Sequence, residues 1–276
     1  MEELIREIKT IGRVQTEDNY ILMKKDYSPI KIDKENFHQI TDSKDYLGVK
    51  EITFIDGGQS ILFEGAGFCI GLIRVAGITY KNNKRILKDV SEFNVLVQEK
   101  NQKFIVKTFP SNEFDGMIFD LEDESISMSY ERATCSRVIP IIRRLAELSY
   151  ASKFDNPVID GTLEARYPYE LDYIKNIKNV SALAKTCSLT TNTGLGITDY
   201  LRLMNNGSWY YYPIVRNNNK NHIAEIYFLK LNEKSDYIFR FENNGANAQE
   251  IISLLKANST DQIFLGYPYG FIDADH

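Results

Sequence analysis

The segments Thr53-Phe54-Ile55-Asp56-Gly57-Gly58 and Pro157-Val158-Ile159-Asp160-Gly161-Thr162 are alike, because each is an apolar run that stops at an aspartate followed by glycine. A β-branched run bounded by turn residues is typical of a buried strand. We therefore predict that each aspartate ends a strand and that the glycine turns the chain away beside the carboxylate. Ligands bind at the carboxyl ends of strands in open α/β sheets, so we expect the two carboxylates to converge there on a hard cation.

The patterns on either side of these segments indicate an α/β fold. Three β-rich runs precede a helical pattern within residues 127–152, and the second Asp-Gly strand is followed by helix, strand and helix. This order predicts a ribonuclease H-like mixed sheet flanked by helices. Later runs at 209–215, 222–231 and 237–241 are expected to add C-terminal antiparallel strands. We expect residues 1–45 to form an N-terminal helix and arm, and 46–276 to form the main domain.

The composition is that of a soluble globular protein. The 276 residues are 43% hydrophobic and 26% charged, with a formal net charge of −5. An acidic chain can still bind nucleic acid, because a cleft can be locally basic. The three cysteines have no metal or redox spacing. The sequence has no signal-peptide pattern and no apolar run near the roughly 20 residues of a membrane span, so we predict a cytoplasmic protein without a membrane partner.

Phosphodiester hydrolysis with two metal ions requires more ligands than two aspartates, because each Mg²⁺ or Mn²⁺ takes about six oxygens. The helix between the two strands offers Glu131 and Glu147. The alternative for Glu147 is a solvated glutamate paired with Arg143 one turn earlier. The Tyr-Pro-Tyr-Gly turn near the chain end leads to further potential ligands, which are Asp273, Asp275 and His276.

Two further features are compatible with a nucleic-acid substrate. Lys185 ends the strand predicted at 179–184, where it could hold a scissile phosphate as a point charge, although an ordinary surface lysine is the commoner case. The cluster Trp209-Tyr210-Tyr211-Tyr212 alternates between two faces of a strand. We expect at least one of these faces in the core and consider the other for stacking on bases.

At these residues the sequence resembles the NurA family, nucleases that work with the HerA ATPase in DNA end resection. The resemblance rests on short motifs in the same order along nearly the whole chain: FIDGG at Asp56, RRLAE at Glu147, VIDGTL at Asp160, LAKT at Lys185, YIFRF at Tyr237 and the terminal GYPYGFIDAD. It implies a ribonuclease H-like nuclease domain over 46–276. It also implies Mn²⁺-dependent 5′-to-3′ exonuclease and single-strand endonuclease activity, a homodimer and a hexameric HerA-type partner.

The resemblance assigns the metal ligands to Asp56, Glu147, Asp160 and Asp275, with His276 as the alternative fourth ligand. Lys185 joins the catalytic set, and the implied cofactor is Mn²⁺ or Mg²⁺, as two ions. The sequence ends at the last motif, which suggests that a following helix is missing. Two other functions stay open: a non-catalytic DNA- or ATPase-binding adaptor on the same fold, and an Argonaute-like or transposase-like relative.

Overall fold

The computed structural model describes residues 3–4, 20–22, 27–41, 50–127, 132–217 and 219–275. The strands, in chain order, are β1 (Ile21–Leu22), β2 (Tyr27–Pro29), β3 (Phe37–Gln39), β4 (Glu51–Gly65), β5 (Phe68–Lys81), β6 (Lys84–Lys100), β7 (Lys103–Phe109), β8 (Ile118–Asp120), β9 (Pro157–Asp160), β10 (Val180–Ala184), β11 (Thr190–Thr191), β12 (Trp209–Tyr211), β13 (Val215–Asn217), β14 (Glu225–Lys230) and β15 (Phe239–Asn244). The α-helices are α1 (Val138–Ala151), α2 (Glu170–Asn176), α3 (Ile197–Met204), α4 (Ala248–Asn258) and α5 (Tyr269–Asp275). Among the helices of these described ranges, none is long and apolar enough to cross a membrane.

One mixed sheet organises the chain, with its strands in the order β3-β12-β14-β15-β10-β9-β4-β5-β6-β7-β8. Strands β4, β5 and β6 are successive antiparallel neighbours. The chain then passes through α1 to β9, which is parallel to β4, and through α2 to β10, which is parallel to β9. This is the order of a ribonuclease H-like core. Strands β15, β14 and β12 extend it with antiparallel pairs, so the predicted fold class is confirmed.

Both faces of the sheet are buried around the first half of β4, where residues 52–55 are all buried. Successive side chains of a strand point to opposite faces, so they pack into different clusters. On β4, Ile55 packs into the cluster that contains the apolar side chains of α1. Its neighbour Phe54 packs into the cluster that contains those of α4 and α5. Helices α1 and α5 therefore lie on opposite faces of β4, and each brings its polar residues to the same strand.

Helix α5 approaches the sheet closely because it carries a glycine at the contact. A Cβ at Gly270 would overlap the ring of Phe54. The next residue, Phe271, packs edge-on against the same ring, with the two centroids 5.0 Å apart. This contact determines where the terminal acids Asp273 and Asp275 lie relative to β4.

Two features of the predicted elements need correction. Asp56 does not end its strand and Gly57 makes no turn, because β4 continues to Gly65 as part of a long antiparallel ribbon with β5 and β6. The helix predicted within 127–152 begins only at Val138. Pro140 then lies in the first turn, where its missing N–H removes no helical hydrogen bond.

The described N-terminal strands pair with the C-terminal half of the chain. Strand β3 pairs with β12 at the edge of the main sheet, while β1 and β2 pair with β11 and β13. The predicted N-terminal helix falls almost entirely outside the described residues. The division of the chain into 1–45 and 46–276 stays a prediction.

Candidate active site

Parallel pairing of β4 with β9 places Asp56 beside Asp160. Ile55 pairs with Ile159, and each aspartate is the next residue on its strand. Neighbouring strands lie about 4.8 Å apart. The side chains two positions before each aspartate are buried under α4 and α5, so both aspartates point to that face. The two carboxylates that the sequence separates by about 100 residues are therefore neighbours in space.

The space beside these carboxylates opens because β9 stops. Gly161 follows Asp160 with φ of +111°, a conformation that favours glycine, and the chain turns away there. The Gly161 N–H donates to the carbonyl of Leu183 at 3.1 Å, which ties this turn to β10. The predicted Asp-Gly strand end is thus confirmed at Asp160. Strand β4 continues past Asp56, so the space beside Asp56 is open because the neighbouring strand β9 ends at Asp160.

Lys185 lies at the same edge, directly after the last residue of β10. Its Nζ is 3.3 Å from Asp160 Oδ2 and 4.8 Å from the centroid of the Tyr267 ring. Partial burial lowers the pKa of Lys185, but the Tyr267 hydroxyl and the Asp160 carboxylate outweigh it, and the net pKa is raised. Lys185 is therefore a cation at neutral pH, next to an acid at the sheet edge.

Glu147 reaches this edge from the opposite face, because α1 packs there. Its side chain is 2% exposed, and its carboxylate pairs with Arg143 and lies 3.6 Å from Arg144 Nη1. Burial raises the pKa of Glu147 to about 7, against the opposing effect of both arginines. The pairing with Arg143 considered from the sequence is present, but the idea of a solvated glutamate is wrong.

Gly57 lets Glu147 come this close to β4. A Cβ at Gly57 would lie 2.8 Å from Glu147 Oε1 and 3.0 Å from its Cγ. Arg143 also donates to the Gly57 carbonyl at 3.1 Å, which fixes α1 against the strand. The Glu147 carboxylate consequently rests on the backbone next to Asp56.

The terminal acids differ in their surroundings. Asp273 accepts hydrogen bonds from the Tyr80 hydroxyl and, at 3.3 Å, from Arg85 Nη1. Asp275, the last residue of α5, is exposed and lies close enough to Asp56 to raise its pKa. Of these two acids, Asp275 is therefore the one free to join Asp56. The two other ligands considered from the sequence, Glu131 and His276, lie outside the described residues.

The donor set has the chemistry of a hard divalent cation site. Burial and the nearby Asp160 raise the pKa of Asp56 to about 6, although the Gly57 N–H opposes this. Carboxylates that repel one another in this way are stabilised by a cation between them. Within the part of the chain that the structure describes, however, no three acidic, histidine or cysteine residues are grouped closely enough to hold a metal ion. The arginine pairs of Glu147 give a physical reason, since they hold its carboxylate.

Comparison with known proteins places this geometry in a known fold. No protein-family model matches the sequence, and no curated protein matches it either. The NurA nuclease from Sulfolobus solfataricus superposes with a TM-score of 0.52 at 13% identity, over 99% of this chain and 87% of that one. The chain has the fold of the NurA nucleases. A second NurA structure gives a TM-score of 0.50 at 9% identity, over 100% of this chain and 91% of that one.

A cavity beside the acids of this NurA fold has a volume of about 230 Å³. Three arginines line it, Arg143, Arg144 and Arg166, together with Glu147 and Asp160. A larger cavity of about 770 Å³, near the β3–β12 edge, contains none of the site acids. The smaller cavity is the one that adjoins the site. Glu164 and Glu170 also line it, and its arginines pair with its glutamates, so the cavity carries ion pairs and no excess of positive charge.

Buried ion pairs hold the turn after Asp160. Glu242 accepts the Leu163 N–H at 2.6 Å and contacts His222 Nε2 at 2.8 Å. Arg144 donates to the Thr162 carbonyl at 2.5 Å and to Glu170 at 2.9 Å. The sequence interpretation missed these supporting residues. For Arg144 the available signal was its spacing, three residues before Glu147.

The aromatic cluster considered for base stacking lies largely in the core. Trp209 is 2% exposed and Tyr211 is 1% exposed, and both pack under α3. On the other face Tyr210 stacks on His38, and Tyr212 stacks on Tyr227. The expectation that one face of this strand lies in the core is therefore confirmed for Trp209 and Tyr211. Tyr210 and Tyr212 are partly buried, and their stacking on bases stays a prediction.

Replacing Asp56 with asparagine is expected to stabilise the metal-free protein above pH 6. The folded-state pKa of about 6 exceeds the 3.8 of an unperturbed aspartate. Folding is thus favoured while Asp56 is protonated, and this stability is lost as the pH rises through 6. The full shift corresponds to about 3 kcal/mol, and partial exposure reduces the expected gain to about 1 kcal/mol. Urea unfolding of Asp56→Asn and wild type in EDTA measures it.

The gain in the free energy of unfolding of Asp56→Asn over wild type should be present at pH 8 and vanish below pH 4. Asp155→Asn provides the control, because Asp155 is exposed just before the amino end of β9. Added Mn²⁺ should stabilise the wild type more than Asp56→Asn, because ligand binding to the folded state adds stability. A gain that is equal at pH 4 and pH 8 would contradict the raised pKa.

Proposed function

We propose that this protein is a metal-dependent deoxyribonuclease that hydrolyses phosphodiester bonds. The observation that carries this proposal is the pair of carboxylates, Asp56 and Asp160, on adjacent parallel strands of a ribonuclease H-like sheet. Glu147 lies behind them, and Asp275 is near enough to raise the pKa of Asp56. The motif resemblance to NurA supports DNA as the substrate, and the likeness of the fold to a NurA nuclease supports a nuclease activity. Lys185, whose side chain is half exposed at this edge, provides a cation for a phosphate group.

The residues have separate roles in the proposed reaction. Asp56, Asp160 and Asp275 are the ligands for divalent cations, and Glu147 completes the set by leaving Arg143. When bound, the cations supply positive charge to the scissile phosphate and activate the attacking water. Lys185 orients a non-bridging phosphate oxygen and neutralises its charge in the transition state. The roles of His276 as alternative ligand and of Glu131 as alternative acid stay predictions.

The finer assignments extend this proposal by the motif resemblance alone. They comprise two Mn²⁺ or Mg²⁺ ions, 5′-to-3′ exonuclease and single-strand endonuclease activity, a homodimer, and a HerA-type hexameric ATPase as partner. Together they place the protein in DNA end processing during double-strand break repair, in the cytoplasm.

Cleavage assays on labelled DNA test the proposal. Linear single- and double-stranded substrates should be degraded with Mn²⁺, and EDTA should stop the reaction. A circular single-stranded substrate distinguishes endonuclease from exonuclease activity, because an exonuclease requires a DNA end and an endonuclease does not. Cleavage that persists in EDTA would contradict metal dependence, and no cleavage under any divalent ion would contradict the nuclease assignment.

A second function, a non-catalytic adaptor, is favoured by one observation. The Glu147 carboxylate is held by two arginines, and the described residues present no closed metal site. An adaptor would bind DNA or an ATPase ring without binding divalent ions. Calorimetric titration with Mn²⁺ separates the two functions, because the nuclease should release heat that Asp56→Asn and Asp160→Asn abolish, whereas the adaptor should release none.

A further inference from the structure

Another aromatic group adjoins the acids and differs from the buried Trp209 and Tyr211 in being open to solvent. Tyr237 precedes β15 and is 57% exposed. Strand β15 is antiparallel to β10, with Arg240 opposite Ala184. The start of β15 consequently lies at the same sheet edge as Lys185, which follows Ala184. An exposed tyrosine therefore lies near the proposed catalytic groups.

A chain of contacts connects Tyr237 to the acids. The centroid of its ring lies 6.5 Å from that of Tyr267. The Tyr267 ring lies 4.8 Å from Lys185 Nζ, and Lys185 pairs with Asp160. Tyr267 and Lys185 thus connect the exposed Tyr237 ring to Asp160 at the proposed cleavage site.

The Tyr237 ring is supported as a platform. One of its faces stacks on Phe239, with centroids 5.8 Å apart and an interplanar angle of 25°. Phe239 is itself buried, at 1% exposure. The Tyr237 N–H donates to Ser235 Oγ at 3.2 Å, and Ser235 packs so tightly on Gly266 that a Cβ there would overlap it. The segment that carries Tyr237 is therefore held against the loop that carries Tyr267.

We propose that Tyr237 is a stacking platform for a base of single-stranded DNA whose neighbouring phosphate is held by Lys185. This inference rests on the proposed nuclease function and adds how the substrate strand is held. A buried ring behind and an open face in front are what base stacking requires, and the adjacent cation matches the phosphate backbone. Stacking is tolerant of base identity, so the site should bind single strands with little sequence preference.

The test measures binding in EDTA, so that cleavage does not interfere. Fluorescence anisotropy of a labelled single-stranded oligonucleotide should give a dissociation constant about 10-fold weaker for Tyr237→Ala than for wild type, as expected for one lost stack. Tyr237→Phe should bind within twofold of wild type, because the ring is kept. The salt dependence should keep its slope in Tyr237→Ala, whereas Lys185→Ala should reduce the slope by about 0.7 for one lost phosphate contact.

The matched control is Phe63→Ala. Phe63 is 54% exposed and stacks on Phe68 with centroids 5.4 Å apart and an angle of 26°. It lies seven residues beyond Asp56 on β4, or about 23 Å along the strand. Loss of this similar stack should leave the affinity for the oligonucleotide within twofold of wild type.

A scan of 2-aminopurine along the oligonucleotide keeps the inference testable if Tyr237→Ala fails to fold. The wild type should quench the probe most strongly at one position, and Tyr237→Leu should lose this quenching. Affinity within twofold of wild type in folded Tyr237→Ala, or no position-dependent quenching by the wild type, would overturn the inference. Metal-dependent cleavage by the wild type in that case would leave the nuclease function intact, so the two failures are distinguishable.

Discussion

Asp160→Asn is expected to lower the rate of DNA cleavage by on the order of 10³-fold or more. The amide has one neutral oxygen in place of a charged carboxylate, so it binds divalent ions weakly and removes the negative charge next to Asp56. The fold should survive, because the pair with Lys185 is partly exposed and contributes less than about 1 kcal/mol. Initial rates on labelled single-stranded DNA with Mn²⁺ measure the effect, and circular dichroism checks the fold.

Asp155→Asn is the matched control for this variant. Asp155 is an exposed aspartate just before the amino end of β9, whereas Asp160 is the last residue of the same strand. The same chemical change at the other end of one short strand should leave the cleavage rate within twofold of wild type. Equal rates for the two variants would show that the β4–β9 edge does not carry the reaction.

Gly57→Ala is expected to reduce cleavage by roughly 100-fold in a protein that stays folded. The added Cβ would lie 2.8 Å from Glu147 Oε1, so the glutamate must shift away from the neighbourhood of Asp56. A displacement of about 1 Å in a catalytic group costs about 10²-fold in rate. Stability should fall by about 1 to 2 kcal/mol, because Glu147 is buried and Arg143 Cγ would also lie 3.3 Å from the new Cβ. Cleavage kinetics measure the loss of activity, and urea unfolding measures the change in stability.

The neighbouring glycine provides the control. A Cβ at Gly58 would meet nothing within 4 Å, so Gly58→Ala should keep full activity. Shortening the acid in the double variant with Gly57→Ala and Glu147→Asp should restore part of the lost rate by making room for the methyl group. If Gly57→Ala is as active as Gly58→Ala, Glu147 does not act from its position against β4.

The strands at the site were predictable because their composition is local information. The run before Asp160 is β-branched and ends at a glycine with positive φ, and the strand stops there as expected. The identical pattern at Asp56 predicted the wrong strand end. Strand β4 continues past Asp56 because β5 supplies partners for every later residue except at one bulge. Pairing across a ribbon thus overrides the turn tendency of Gly57-Gly58.

The surroundings of the acids were less predictable than their identity. Nothing in the pattern around Glu147 distinguishes a helix glutamate in water from one that is 2% exposed against two arginines. The Trp209 cluster was considered for base stacking because of its composition, yet the apolar cluster that includes α3 buries Trp209 and Tyr211. Tyr237, an unremarkable residue in the sequence, lies instead near the acids because β15 is antiparallel to β10.

The sequence by itself determined the order of strands and helices, the alternation that buries both sheet faces, and the acidic residues that the motifs mark. These follow from short-range patterns of apolar, β-branched and turn residues. Only the tertiary structure decided which of these residues meet. Asp56 and Asp160 become neighbours because β4 and β9, which are about 100 residues apart in the chain, pair in parallel. Glu147 lies near them because α1 packs against β4 at Gly57. Such contacts depend on long-range pairing and close packing, which no local window of residues contains.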